Sequence, residues 1–193
     1  MGVSIKDIIA EFRNNSSGSF YGTKASRETV ESYLQNDLGN KGIFIYIDHG
    51  ESDRLYDSNE KALIDHSNIN LLANKLIYTI ACKSALKLGN MAVEAGAKGY
   101  FGFEDLFQVV PEESNIFSHC FLYGATSIIN DNITPIEAIK QIIDKTSEII
   151  VKIKKLHRLT QKNRDILITG LRHNMNCMVY LGDPHWRLRP SNS

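Results

Sequence analysis

Three short apolar runs constrain this chain more than any other feature. Gly42-Ile43-Phe44-Ile45-Tyr46-Ile47, Leu76-Ile77-Tyr78-Thr79-Ile80-Ala81 and Gly99-Tyr100-Phe101-Gly102-Phe103 are rich in β-branched and aromatic residues and show no polar alternation. Runs of this length read as strands buried on both faces, the pattern of a parallel sheet. A fourth run, Cys177-Met178-Val179-Tyr180-Leu181, closes on Gly182-Asp183-Pro184. Helical patterns lie between the runs, so the fold class is α/β with a mainly parallel sheet flanked by helices. In such sheets functional groups gather beyond the carboxyl ends of the strands. Here those ends carry His49, Cys82 and the pair Glu104-Asp105.

Residues 5–12 read as a short helix with Ile5, Ile8, Ile9 and Phe12 on one face, and 14–18 as a loop. Residues 26–34 read as a second helix with Ser26 as its N-cap. A polar stretch covers 51–70. Ser84 is placed to cap a helix over 84–95, which Gly96 can end in the left-handed conformation. Residues 115–129 are a further helical candidate. Thr134-Pro135-Ile136-Glu137 is a strong start signal, with a capping Thr, a first-turn Pro and a Glu that closes the capping box. Ile136, Ile139, Ile142, Ile143, Ile149, Ile150, Ile153 and Leu156 then keep helical spacing over about six turns.

The 193 residues suit one domain, or one domain with an appendage. Twenty-two basic residues balance twenty-two acidic ones, so no overall field draws the chain to nucleic acid or to an anionic membrane. The local cluster Lys152, Lys154, Lys155 and Arg158 reads as a solvated helix face. No apolar run approaches the ~20 residues that span a bilayer, and the start of the chain lacks the apolar core of a signal peptide. Lys6 stands where a myristoylation signal has Ser or Thr. Three cysteines at wide spacing, Cys82, Cys120 and Cys177, form neither a disulfide framework nor a CxxC metal site. A reducing, cytoplasmic location is the expectation. His66, His119, His157, His173 and His185 show no metal spacing, so no metal or other cofactor is expected.

The chemistry lies in His49 and Cys82. A cysteine nucleophile needs a thiolate, a proton shuttle and donors for the developing oxyanion. Cys82 precedes the expected helix, whose N-terminus would favour the thiolate. His49 ends a strand 33 positions earlier, room for one right-handed crossover to a neighbouring strand. An imidazole there can take and return the proton. Gly50 lets the backbone approach a bound carbonyl, and its N–H joins that of Cys82 as an oxyanion donor. Asp48 can orient the imidazole, although strand alternation turns it to the opposite face. A single His or Cys in such places is more often a turn residue or a small buried hydrophobe. The ordered pattern of apolar run, His-Gly, spacer, apolar run and Ala-Cys is far more specific.

Residues 43–50 and 76–82 resemble the two signature blocks of the caspase-like cysteine peptidases, the group of caspases, legumains, gingipains, clostripain, separases and CHAT peptidases. Ala95-Gly96-Ala97-Lys98-Gly99-Tyr100-Phe101-Gly102 and Leu181-Gly182-Asp183-Pro184-His185-Trp186-Arg187-Leu188 resemble segments of the gingipain-like and CHAT-like branch. So does the helix within 21–34 that precedes the histidine strand. The cysteine signature of true caspases differs, because Ile80 and Ser84 stand where they have Gln and Gly. The resemblance implies a three-layer caspase-like (caspase-hemoglobinase) fold over 21–188, with 1–20 as an N-terminal helix and loop of the same domain and 189–193 as a tail. Residues 1–4 are too short to supply the opening strand of gingipain-like domains, so the sheet is trimmed or the chain belongs to a larger parent. Glu51 replaces the Ser that many relatives carry after His-Gly.

The implied activity is that of a cysteine endopeptidase with a Cys82/His49 dyad acting on a protein or peptide substrate. Relatives build the pocket for the residue before the scissile bond partly from the segment after the strand that follows the cysteine. Here Phe103, Glu104 and Asp105 occupy it, and an acidic floor would select Arg or Lys. The competing readings are helix capping or solvent exposure for Glu104 and Asp105, and an apolar pocket lined by Tyr100 or Phe103. The alternative for the whole chain is an inactive caspase-like scaffold that binds a regulatory partner through its long helix. A flavodoxin-like binder fits poorly, since no Gly-rich phosphate loop follows any strand. Cys120 and Cys177 are expected in the core, and Asp183-Pro184 and Trp186 in a turn that packs over it.

Overall fold

The structure, a computed structural model, describes residues 20, 24–37 and 40–189. The expected helix over 5–12 and loop over 14–18 lie outside the described residues, as does any strand at the start of the chain. The chain folds as α1 (Arg27–Asn36), β1 (Gly42–Ile47), β2 (Gly50–Glu51), β3 (Arg54–Tyr56), β4 (Ala62–Ile64), β5 (Lys75–Ile80), α2 (Leu88–Glu94), β6 (Gly99–Phe103), α3 (Ser114–Phe121), α4 (Tyr123–Asp131), α5 (Pro135–Lys154), α6 (Gln161–Cys177) and β7 (Met178–Gly182).

The apolar runs become the central sheet, in the order β1-β5-β6-β7. The first three strands are parallel and β7 runs antiparallel to β6. Every residue of β5 and β6 is buried, which explains why these strands read as unbroken apolar runs. The antiparallel edge follows from α6, which delivers the chain to the carboxyl end of β6. Met178 pairs with Phe103, and the chain must run back.

Alternate strand residues serve two cores. Tyr78, Ile80, Phe101 and Phe103 face Phe117, Phe121, Ile142, Ile150, Leu167 and Leu171 of α3 to α6. Ile77 and Tyr100 face α1, α2 and the loops around β3 and β4. The result is a mixed α/β fold with a mainly parallel sheet between two helical layers. Tyr78 stacks on Phe101 with ring centroids 4.2 Å apart.

Several local signals act as read. Ser26 Oγ accepts the Thr29 N–H at the start of α1. Thr134 and Glu137 form the full capping box of α5. Gly96, at φ +100°, ends α2 while the Gly96 and Ala97 N–H groups bond Val93 and Ala92 C=O, a Schellman arrangement. The candidate helix over 115–129 is two helices that break at Leu122. The polar stretch over 51–70 holds most of a small antiparallel sheet, β2-β3-β4, which begins at Gly50. On α5 the buried stripe is Ala138, Ile142, Thr146, Ile150 and Ile153, which leaves Ile136 and Ile143 exposed. Trp186 is buried with Leu76, Ile128 and Ala138, next to a turn in which Asp183 Oδ1 accepts the His185 N–H. No helix among the described residues is long and apolar enough to cross a membrane.

Gly182 meets a strict backbone demand. Its φ is +106°, and a Cβ there would lie 2.7 Å from both Gly99 Cα and Lys98 O. Neither neighbour is a movable side-chain tip. Gly182→Ala should therefore cost about 2–3 kcal/mol, read as a lowered denaturation midpoint. A midpoint equal to wild type would refute the close approach of β6 and β7.

Candidate functional site

β1 and β5 are adjacent and parallel, and their last pair is Ile47 with Ile80. His49 and Cys82 each follow two residues later, so both lie beyond the carboxyl ends of neighbouring strands. The two segments touch. A Cβ on Gly50 would stand 2.9 Å from Ala81 Cβ and 3.3 Å from Cys82 O, so only glycine allows this approach. A second clip joins them, since Ser52 C=O accepts the N–H groups of Lys87 and Leu88 at 2.9 and 2.8 Å. The turn after β2 thus caps α2. The Tyr46 hydroxyl lies 2.7 Å from His49 O and 2.6 Å from Tyr56 O, fixing the backbone that carries the histidine.

The helix after Cys82 does not start where the sequence suggests. Lys83 adopts φ +54°, its N–H donates to Asp105 O, and the Ala85 N–H donates to Phe103 O. Ser84 Oγ is bonded to Thr79 Oγ1 at 2.8 Å instead of capping a helix. These bonds latch residues 82–85 to the sheet, and α2 begins only at Leu88. The expected favour to the thiolate from a helix N-terminus is therefore a correction: no helix starts at Cys82.

The Cys82 sulfur has a different donor. The Phe107 N–H points at Sγ from 3.3 Å. The segment that brings it is bound to α6: Asn174 Oδ1 accepts the Gln108 N–H at 2.8 Å, and Asn174 Nδ2 donates to Gln108 O at 2.7 Å. His173 Nε2 lies 2.9 Å from Leu106 O, so that nitrogen carries the hydrogen. The Phe107 ring packs among Phe103, Phe117 and Phe121. The sequence pattern does not reveal α6, or with it the placing of His173 and Asn174 against the segment after β6. Gly170 and a largely polar composition hide the periodicity of Leu167, Ile168 and Leu171. A signal was present in that a buried Asn within an apolar stripe needs partners.

The remaining candidates divide. Gly50 and Cys82 are brought together. Gly50 pairs with Leu55, while the Tyr56 N–H bonds His49 O. By antiparallel alternation the Gly50–Leu55 pair is the non-bonded one, so the Gly50 N–H turns away from β3. Among the described residues the Cys82 N–H has no hydrogen-bond partner. The His49 side chain is 89% exposed, and among the described residues no hydrogen bond links it to Cys82 Sγ. Asp48 does not point away from it, since its Oδ1 accepts the His49 N–H and lies 3.8 Å from His49 Nε2. Glu104 and Asp105 are exposed, and Asp105 Oδ2 lies 3.8 Å from His173 Nε2. Phe103 is fully buried in the core, as is Tyr100, whose phenol burial pushes up to about 12.

Cys120 and Cys177 are buried, and burial raises both thiols, that of Cys120 to about 11. That leaves Cys82 as the accessible thiol among the described residues. Among those residues no group of three or more His, Cys, Asp or Glu could hold a metal ion. A comparison with protein-family models, curated proteins and solved structures gives no match to this chain.

Proposed function

We propose that the chain is a caspase-like cysteine endopeptidase of the gingipain-like and CHAT-like branch. The observation that carries this reading is the seating of His49-Gly50 against Ala81-Cys82, through a glycine whose Cβ would clash. In the proposed reaction the Cys82 thiolate attacks a peptide carbonyl. The N–H groups of Gly50 and Cys82 stabilise the oxyanion. His49 protonates the leaving amine, then takes a proton from the water that hydrolyses the thioester. The exposed His49 ring swings onto the sulfur when substrate enters, consistent with the loose geometry of resting sites. The carboxylates of Glu104 and Asp105 favour Arg or Lys before the scissile bond. The substrate is a protein or peptide in a reducing, cytoplasmic setting, which the three free cysteines suit.

A peptidyl chloromethylketone with a basic residue should label Cys82. Cys82→Ala should lower cleavage of a basic peptide library by about a thousandfold or more. A fully active Cys82→Ala variant would sink the proposal. The missing bond between His49 and Cys82 favours a second reading, an inactive caspase-like scaffold that binds a regulatory protein. Under that reading no library peptide is cleaved by the full chain, with or without a partner, while the fold stays intact.

A further inference from the structure

The segment that follows β6 is not a free loop. Phe107 anchors it in the aromatic core, and Asn174 grips both backbone groups of Gln108. Asn174 is fully buried within α6 and spends its amide on this one residue. A buried amide in a helix is expensive to desolvate unless its partners are fixed, so the pair holds a single geometry. In an extended segment, backbone groups of successive residues point to opposite sides. With Gln108 turned to α6, Phe107 is turned the other way, toward the sulfur, and its N–H lies 3.3 Å from Sγ. His173 fixes the preceding carbonyl, that of Leu106.

We propose that Asn174, supported by His173, is a positioning residue that holds the Phe107 N–H on the sulfur of Cys82. This rests on the reading of Cys82 as a nucleophile. A hydrogen bond to an ionised sulfur is worth more than one to a thiol, so a donor fixed on Sγ favours the thiolate. The structure thereby assigns to a backbone donor the task that a helix N-terminus performs elsewhere. The other titratable and charged groups on the segments that meet Cys82 are Asp48, His49, Glu51, Lys83, Glu104, Asp105, Arg172, His173 and Cys177. Asn174→Leu leaves all of them in place.

The test is the rate at which iodoacetamide alkylates Cys82 in the full chain, followed by peptide mapping from pH 6 to 10.5. Asn174→Leu should slow alkylation about tenfold at neutral pH, and the rates should converge at the alkaline end. Asn174→Asp, which keeps the acceptor for the Gln108 N–H and loses the donor, should fall between the two. His173→Ala should give a smaller loss, about twofold to threefold, and guards against a misfolded Asn174→Leu. Equal rates in folded Asn174→Asp and His173→Ala would overturn the proposal. So would a loss of the same factor at every pH, which would report access alone. Because alkylation needs no peptide cleavage, an inactive wild-type chain that still shows the contrast would sink the peptidase reading and keep the positioning role.

Discussion

Asp37→Ala should destabilise the protein by about 3 kcal/mol, because it strands a buried ammonium. Lys75 opens β5 and its side chain is only 3% exposed. Its Nζ donates to Asp37 Oδ2 at 2.8 Å, to Asn40 O at 2.9 Å and to Asp37 O at 3.1 Å. Three donors meet three acceptors, and only one acceptor carries charge. Removing the carboxylate leaves the cation with two carbonyl dipoles in a poorly solvated place. Asp37→Ala with Lys75→Met should recover most of the loss, since an apolar side chain needs no partner there. Urea unfolding followed by the fluorescence of the single tryptophan, Trp186, reads the effect. A change below about 1 kcal/mol in Asp37→Ala would mean that the carbonyls alone satisfy Lys75.

The same pair sets an acid limit. Hydrogen bonds from Lys75 and then Asn40 hold the Asp37 carboxyl below its ordinary value, against the opposing push of burial. A carboxyl depressed in the folded state adds stability above its unfolded value of ~3.9, and this is lost as pH falls through the lower folded value. Wild type should therefore lose stability more steeply than Asp37→Ala below about pH 4.

Under the proposed function, Gly50→Ala should abolish most peptide cleavage while sparing the thiol itself. The new Cβ would press on Ala81 Cβ and Cys82 O, 2.9 and 3.3 Å away, and β2 must retreat. The stability cost should be about 1–3 kcal/mol, typical of overpacking. The loss in kcat/KM should be larger, about a hundredfold or more, because the Gly50 N–H leaves the place proposed for it as an oxyanion donor. Haloacetamide alkylation proceeds without an oxyanion, so its rate at Cys82 should stay near that of wild type. A Gly50→Ala variant with undiminished peptide cleavage would show that the close approach serves packing alone.

Strand existence was legible because β5 and β6 are buried on both faces, which leaves a run without polar interruption. The Thr134 capping box and the Gly96 helix end were legible because both are set within a few residues. The small sheet β2-β3-β4 was not, since strands of two or three residues carry almost no periodicity. Helix α6 was hidden by a polar exposed face, and the exposed side of α5 by isoleucines that mimic a core stripe. The start of α2 was misread because Ser84, a good cap locally, finds Thr79 on the neighbouring strand instead.

The sequence by itself determined the four strands of the central sheet, the residues at their carboxyl ends and the identity of the candidate pair, His49 and Cys82. Those follow from local composition, since a buried strand and the turn that ends it are written in consecutive residues. Only the tertiary structure decided what surrounds Cys82. The contact of Gly50 with Ala81, the left-handed Lys83 latched to Asp105, the Phe107 N–H on the Cys82 sulfur, and the Asn174 amide that bonds the next residue, Gln108, join positions 22 to 66 residues apart. Such pairings depend on how separate elements pack, and no run of neighbouring residues encodes them.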